Sequence, residues 1–442
     1  MFLPENIQNC INLLESAGFA AYAVGGCVRD ACLGLTPHDY DLCTSALPAQ
    51  TEEVFRDYQL VLAGEKHGTV TVITEDGPVE ITTFRTEGGY RDNRHPDWVK
   101  FVPDIQGDLA RRDFTVNAMA YSPTRGFADP FGGREDLKNH VLRAVGDPVS
   151  RFQEDSLRIL RGVRFAARFG LNPEEKTMEA MLSQAGLMEN LARERVFEEL
   201  CKLLLAAKAQ DITRFAPILA AVIPELKPMI GFDQHSPHHA YDLITHTAHV
   251  VEGVPAELPL RWAALLHDTG KVETFTLDAT GRGHFYGHAK ESAAIADSIL
   301  RRLKAPTALR EEAVTIIGKH MTRLQPDRKF LRRQVSKYGF PMVESMLCLQ
   351  EADMGSKGTG EDDGSAVFAE VRQILAELKA EDACLNLKAL AVNGNDLMAL
   401  GFRGKEIGIC LNALLEQVVE ERLPNEKEAL LAFAAEHKEE ET

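Results

Sequence analysis

Where its two periodicities lie does most to restrict how this 442-residue chain can fold. Strand-like runs gather before about residue 140: "AAYAVGG", "DYDLCT", "GTVTVIT", and "PVEITTFR" after the turn "EDG". From about Ser150 apolar residues recur at helical spacing and such runs largely disappear. The expected class is α+β, a head in which a mixed sheet carries helices, followed by a mainly helical remainder. A chain of this length exceeds one compact core and implies two to four domains. "GSKGTGEDDGS", Gly355 to Ser365, reads as a flexible linker. The segment "GKEIGICLNALLEQVVEERL" beyond it places Ile407, Leu411, Leu414, Leu415 and Val418 on one apolar face, a small helical tail.

Hydrophobic residues make up 45% of the chain and charged ones 26%, the balance of an ordinary globular protein. No run approaches the ~18 apolar residues that span a bilayer, and the N-terminal segment carries acidic residues where a targeting sequence has basic ones. A cytoplasmic protein without a membrane partner is expected. The eight cysteines are scattered without a CxxC pair, so neither a disulfide framework nor a cysteine zinc site is indicated. A formal net charge of -17 argues against a surface that coats nucleic acid. Between Leu109 and Arg168, however, eleven Lys and Arg stand against seven Asp and Glu, so polyanion binding is expected there.

The stretch "VGGCVRDACLGLTPHDYDLCTS", Val24 to Ser45, concentrates chemistry. In a strand, residues i and i+2 share a face, so Asp39 and Asp41 are expected to point together. Two such carboxylates repel unless cations lie between them, and hard oxygen ligands suit Mg²⁺ bridging a substrate phosphate. The DxD spacing alone fits a solvated turn as well. Gly25 and Gly26 add weight, because a glycine pair lets backbone approach a ligand and the following helix offers N–H groups to an anion, with Arg29 one turn in. Glu80, in "VEITTFR", is a candidate third carboxylate or a solvent-facing strand glutamate. "DLARRDFTVNAMA" brings Arg112, Asp113 and Asn117 together. Arginine suits phosphate and a fixed Asp or Asn suits sugar hydroxyls, though a capped helix with a solvated basic start reads the same way. In "EDSLRILRGVRFAARFG", Arg158, Arg161, Arg164 and Arg168 fall on one helical stripe, and Asp155 lies three residues before Arg158, either an orienting neighbour or a surface salt bridge.

Together "GGCVRD…DYD", "VEITTFR", "ARRDFTVNAMA" and "FQEDSLRILRGVRFAARFG" closely resemble the class II CCA-adding tRNA nucleotidyltransferase and poly(A) polymerase family, over roughly residues 20 to 230. The resemblance implies a polymerase-β-like head and, as partners, tRNA, CTP and ATP. It makes Asp39 and Asp41 the Mg²⁺-binding catalytic carboxylates, with Glu80 beside them. It puts Gly25, Gly26 and Arg29 at the triphosphate, and Arg112, Asp113 and Asn117 at triphosphate and ribose. It assigns base selection to Asp155 and Arg158, with Arg161 and Arg164 close to the nucleotide. Cytosine and adenine both present an exocyclic amine beside a ring-nitrogen acceptor, so one carboxylate and one guanidinium can serve either base, whereas guanine and uracil present a carbonyl. The loop "TEGGYRDNRHPDWVK" is shortened in family members that add only CC. Here it is full length, so complete CCA addition is expected.

The helical half holds "YDLITHTAHVV", "LLHDTGK", "YGHAKESA", "IGKHM" and "LQEADMG". The pair His267-Asp268 resembles the HD superfamily of metal-dependent phosphohydrolases. That resemblance makes His246, His267, Asp268 and Asp353 metal ligands, and His288 and His320 candidates for a second metal or for substrate. Imidazole with carboxylate suits Mn²⁺, Ni²⁺ or Fe²⁺ better than Mg²⁺ alone. The expected domains are a head at 1–145, a neck with the nucleobase template at 146–230, an HD-type domain at 231–356 and a tail at 366–442. Competing readings are a poly(A) polymerase or A-only adding enzyme, an HD phosphohydrolase with an RNA-binding head, and a noncatalytic tRNA-binding protein. The acidic ending "AAEHKEEET" speaks against the first, and the full set of Asp39, Asp41, Asp155 and Arg158 against the others.

Overall fold

The computed structural model describes the chain except residues 38, 66–67, 90–97, 238–239, 360–363, 382 and 441–442, and the side chains of 437, 439 and 440. The chain divides into two compact units, Met1–Lys227 and Pro228–Thr442. Its eight cysteines are free, and no helix among the described residues is long and apolar enough to cross a membrane.

The first unit contains β1 Ala21–Val24, β2 Asp41–Thr44, β3 Gln59–Val61, β4 Thr69–Thr74, β5 Gly77–Thr83, β6 Arg85–Gly88, β7 Trp98–Phe101, β8 Ala120–Ser122 and β9 Gly126–Ala128. Seven of them form one sheet in the order β3-β4-β5-β2-β1-β8-β9, while β6 and β7 make a separate ribbon. The β2–β5 pair is parallel and the other pairs are antiparallel, which is the expected mixed sheet. The pleat sorts β5 cleanly: Val79, Ile81 and Thr83 are buried, and Glu80 faces out between them. On the core side Val24, Cys43, Phe84, Leu109, Ala118, Ala120 and Val145 pack together. The loop quoted above runs from β6 into β7, and its residues 90–97 lie outside the described residues.

After the sheet the helices take over. Leu157–Phe169 is the central one: ten of its thirteen residues are buried, and it stops at Gly170, whose φ of 62° is left-handed. In the second unit the helices Leu243–Gly253, Leu258–Leu266, His288–Arg302, Thr307–Lys319 and Phe340–Gly355 carry or border the histidines, around a fully buried Trp262. The linker expected at Gly355 to Ser365 overlaps residues 360–363, outside the described set. The helix after it, Ser365–Ala380, contributes Phe368, Val371, Leu375 and Leu378 to one core with Leu331, Val335, Val343 and Leu347. It therefore packs with the elements before the linker. Leu390, Val392, Leu397, Leu414, Leu430 and Ala434 form a further core behind it.

One close approach fixes how the helix Gly133–Lys138 sits on the 3-10 turn Thr115–Asn117. A Cβ on Gly133 would lie 2.2 Å from the Thr115 carbonyl oxygen, a backbone atom that cannot step aside. Gly132 has open space but a φ of 74°. Gly133→Ala is expected to cost roughly 3 kcal/mol of stability, and Gly132→Ala only about 1 kcal/mol. Thermal unfolding of the two variants side by side checks the order.

Candidate active site and candidate metal centre

At the end of β1 the chain turns at Gly25, with φ 77° and ψ -124°, and enters the helix Gly26–Cys32. Gly25 donates its N–H to Met119 O at 3.0 Å, and a Cβ there would lie 2.7 Å from Arg112 Nη1. Only glycine satisfies both the backbone angle and the arginine. Arg112 is anchored at 3.3 Å to the buried Asp108, and its own Nε is buried without a hydrogen bond. A cation aimed past a bare backbone turn is a fitting cradle for phosphate.

Asp41 opens β2 opposite Val24, and Leu42 pairs in parallel register with Ile81, which sets Glu80 beside Asp41. Asp39 stands two residues earlier, before the ladder begins, so the strand expected to hold both aspartates starts only at the second. All three carboxylates are on exposed residues. Desolvation in the recess, with Glu80 and Asp39 nearby, raises the Asp41 carboxyl above its ordinary range, and Arg112 pulls the other way. Such a group gains from a cation, which is the chemical fit for Mg²⁺. Among the described residues, however, the two groups of ligand atoms that converge within 4.8 Å both lie in the second unit.

Behind this face runs a buried polar relay. Arg29 donates to Asp30 at 2.5 Å and to Asn117 Oδ1 at 2.5 Å, with its guanidinium 4.3 Å from the centre of the Phe169 ring. Asn117 donates to Asp113 Oδ1 at 3.0 Å, which also accepts Phe114 N–H at 2.8 Å. Arg161 closes on Asp113 Oδ2 through Nε at 2.8 Å and Nη2 at 2.7 Å. Expected at the ribose, Asp113 is in fact 6% exposed with both oxygens engaged, so it acts on the site through Asn117 and Arg161. Burial alone would raise its carboxyl, but Arg161 and the Asn117 amide outweigh burial and bring it from 3.8 to about 2.

The next helix corrects the sequence reading. Asp155 does not continue a helix: its φ of -142° and ψ of 103° break the chain between Pro148–Glu154 and Leu157–Phe169. Asp155 flanks the second helix instead, its Oδ1 accepting Leu157 N–H at 3.1 Å and its carbonyl accepting Arg158 N–H at 3.0 Å. Asp155 pairs with Arg195 at 3.0 Å, while Arg158 pairs with Glu154 at 2.6 Å and donates to Arg111 O at 3.0 Å. Arg164 is buried against Glu199 at 2.6 Å. The expected basic stripe is thus largely neutralised, each of Arg158, Arg161 and Arg164 meeting a carboxylate. Glu154 could have been found as the acid preceding Asp155. Arg195 and Glu199 had no signal, because they come from a helix some forty residues on.

In the second unit six expected ligands converge. His246 Nε2 lies 3.0 Å from Asp353 Oδ1 and 3.5 Å from Asp268 Oδ2; His267 Nε2 lies 3.2 Å from Asp268 Oδ2. Asp268 Oδ1 faces His288 at 3.5 Å and His320 at 4.0 Å, so one carboxylate joins both groups. His267 and Asp268 do not lie within a helix but just past the end of Leu258–Leu266. Each imidazole turns Nδ1 to a backbone carbonyl: Ser356 at 3.2 Å, Ala264 at 2.8 Å, Phe285 at 2.8 Å and Ile317 at 2.6 Å. A carbonyl only accepts, so Nδ1 carries the proton and the Nε2 lone pairs face inward.

Those lone pairs meet each other and carboxylates. His288 Nε2 and His320 Nε2 are 3.1 Å apart, and His267 Nε2 is buried without a hydrogen bond. Burial lowers His320 to about 4 and also lowers His288; at His267 the carboxylates of Asp268 and Asp353 override burial, so without a cation its Nε2 holds a proton that a metal ion would replace. The set asks for a cation, and imidazole with carboxylate suits a transition metal. Lys271, overlooked although it ends the quoted "HDTGK", pairs with Asp268 at 2.7 Å. A cavity of about 510 Å³ opens over Asp268, Asp353, His288 and His320.

Two outcomes are expected. Because the Asp113 carboxyl is depressed on folding, its contribution of about 2 kcal/mol is present above pH 3.8 and is lost as pH falls toward 2. Asp113→Asn should lack that portion of the acid sensitivity in urea titrations between pH 4 and pH 2. Elemental analysis should find transition metal on the purified wild type and none on the His267→Ala, Asp268→Ala double variant.

Three family models match the chain: one described as the poly A polymerase head domain over residues 21–143, one as a probable RNA and SrmB-binding site of polymerase A over 170–229, and one as tRNA nucleotidyltransferase domain 2, putative, over 285–434. The chain is 33% identical to a CCA-adding enzyme of Streptococcus thermophilus, covering 98% of this chain and 97% of that one. It is 34% identical to a CCA-adding enzyme of Levilactobacillus brevis, covering 97% and 98%. Among solved structures it resembles the Bacillus stearothermophilus CCA-adding enzyme in complex with CTP, with a TM-score of 0.76 at 28% identity over 100% of this chain and 99% of that one.

Proposed function

The chain belongs to the family of CCA-adding tRNA nucleotidyltransferases, and from that premise we propose that it adds C, C and A to the 3′ end of tRNA, without a nucleic-acid template, from CTP and ATP. The observation that carries this reading is likeness along the whole chain, head and helical units together, to enzymes of that activity. The family model described as the poly A polymerase head domain covers residues 21–143 alone.

In each cycle the 3′-hydroxyl of tRNA forms a bond to the α-phosphorus of CTP or ATP, and the bond to pyrophosphate breaks. Mg²⁺ held by Asp39 and Asp41, with Glu80 beside them, would activate the attacking oxygen and neutralise charge on the leaving group. The Gly25–Gly26 turn and Arg112 hold the triphosphate; Arg29 and Asn117 fix that wall from behind. Asp155 and Arg158 read the base edge. To do so they exchange their present partners, Arg195 and Glu154, for the amine and ring nitrogen of C or A. Arg161 and Arg164 keep the helix Leu157–Phe169 in place through Asp113 and Glu199. Residues 1–145 then serve as the catalytic head, 146–230 as the template-bearing neck, 231–356 as the HD-type domain and 366–442 as the tail, in a cytoplasmic enzyme.

A second activity is favoured by the converging imidazoles. With a transition metal such as Mn²⁺, Ni²⁺ or Fe²⁺ on His246, His267, Asp268 and Asp353, and His288 and His320 open to a second ion or to substrate, the centre suits hydrolysis of phosphomonoesters and 2′,3′-cyclic phosphates.

Asp39→Ala or Asp41→Ala should slow nucleotide addition on the order of a thousandfold or more while tRNA affinity changes little. The His267→Ala, Asp268→Ala variant should add CCA in Mg²⁺ at the wild-type rate. Primer extension and filter binding on the same preparations check both; an equal loss of tRNA affinity and rate in the aspartate variants would contradict the assignment.

A further inference from the structure

The cavity over the histidine centre is walled on one side by the hairpin of strands Thr276–Leu277 and Gly283–His284 and the residues that follow it. Tyr286 stands there 79% exposed, an unusual position for a large aromatic ring. Its ring lies parallel to that of His284, with 5.4 Å between centroids and 5° between planes. The pair is built rather than loose. His284 bonds through Nε2 to Asp278 at 2.9 Å and through Nδ1 to the Tyr286 hydroxyl at 3.4 Å. Asp278 is in turn fixed by the Thr280 N–H at 2.8 Å, the Thr280 hydroxyl at 2.6 Å and the Arg282 N–H at 3.1 Å. A whole turn of chain is thus spent on presenting one flat aromatic face.

Resting on the reading of this centre as a phosphohydrolase, we propose that Tyr286, stacked on His284, is a nucleobase platform, and that the centre takes phosphate carried on a nucleoside in preference to base-free phosphate esters. Three features converge on that substrate class. The metal-type ligands Asp268, Asp353, His288 and His320 line the same cavity, so the reacting phosphate belongs beside them. Arg323 and Lys357 also line it and supply the positive charge that an anionic ligand needs. The cavity, about 510 Å³, has the size of small-molecule sites and far exceeds the needs of phosphate alone. An aromatic face beside a phosphate site is how a base is held without being read, since every base has a π-face. Little preference among the four bases is therefore expected.

The test uses the full chain loaded with Mn²⁺, with each titration repeated on the His267→Ala, Asp268→Ala variant so that binding at the head is subtracted. AMP, ribose 5-phosphate and an adenylate trinucleotide ending in a 3′-phosphate are titrated by calorimetry into wild type, Tyr286→Ala and Tyr286→Phe, with bound metal measured throughout. AMP should bind wild type about tenfold or more tighter than ribose 5-phosphate. Tyr286→Ala should erase that preference at unchanged metal content, and Tyr286→Phe, which keeps the ring, should retain it. Tighter binding of the trinucleotide than of AMP identifies RNA ends as the source of the base, and equal binding identifies free nucleotides. Equal affinity for AMP and ribose 5-phosphate in wild type, or a preference that survives Tyr286→Ala, overturns the platform. Absence of bound Mn²⁺ and of hydrolysis in wild type would instead overturn the phosphohydrolase reading, while the base preference is still decided by binding alone.

Discussion

A carboxylate taken out of water must be answered by partners or lose its charge, and Asp113 is answered by three at once. The Phe114 N–H fixes it to its own backbone, Asn117 links it to Arg29 and so to the helix behind the glycine turn, and Arg161 links it to the helix Leu157–Phe169. Loss of Asp113 would leave Arg161 and Asn117 without their acceptor and would free the glycine turn from the neck helix together. Asp113 thus joins the glycine-turn helix to Leu157–Phe169, while Arg112 is held by Asp108 and the Asp41–Glu80 edge by the β2–β5 pairing.

Much of that arrangement was legible in the amino-acid order, because the signals are local. The glycine pair and the out-facing Glu80 follow from turn chemistry and strand alternation, and the sheet is mixed as expected, whereas the strand expected to hold both aspartates begins only at Asp41. The histidines were also legible, since each sits in a short motif whose ligand character does not depend on distant partners. What failed was geometry that assumed an unbroken helix. The helix expected to include Asp155 begins only after it, so Asp155 flanks Leu157–Phe169 rather than belonging to it. Their real partners, Arg195 and Glu154, and the Glu199 that holds Arg164, are matched by tertiary packing, which no spacing rule encodes. A polar stretch likewise reads as a linker, and only tertiary packing shows that Phe368 and Val371 beyond it join a core begun before it.

The two centres differ in the chemistry of their donors. The head offers solvent-facing carboxylates, hard donors of the kind that suit Mg²⁺. The second unit offers four imidazoles whose tautomers are locked by backbone carbonyls, around a carboxylate shared between two ligand groups. A preformed, buried donor set of that kind is chemically suited to a transition ion. Each centre lies within its own compact unit, so each can be altered by substitutions that leave the other's ligands untouched.

The most direct measurement is to sequence the 3′ ends that Asp113→Asn makes on tRNA lacking CCA, with all four nucleotides present. If Asp113 holds the base-reading helix in register with the catalytic edge, addition slows and the ends it does make contain misplaced U and G. Wild-type rates with clean CCA ends would contradict that dependence.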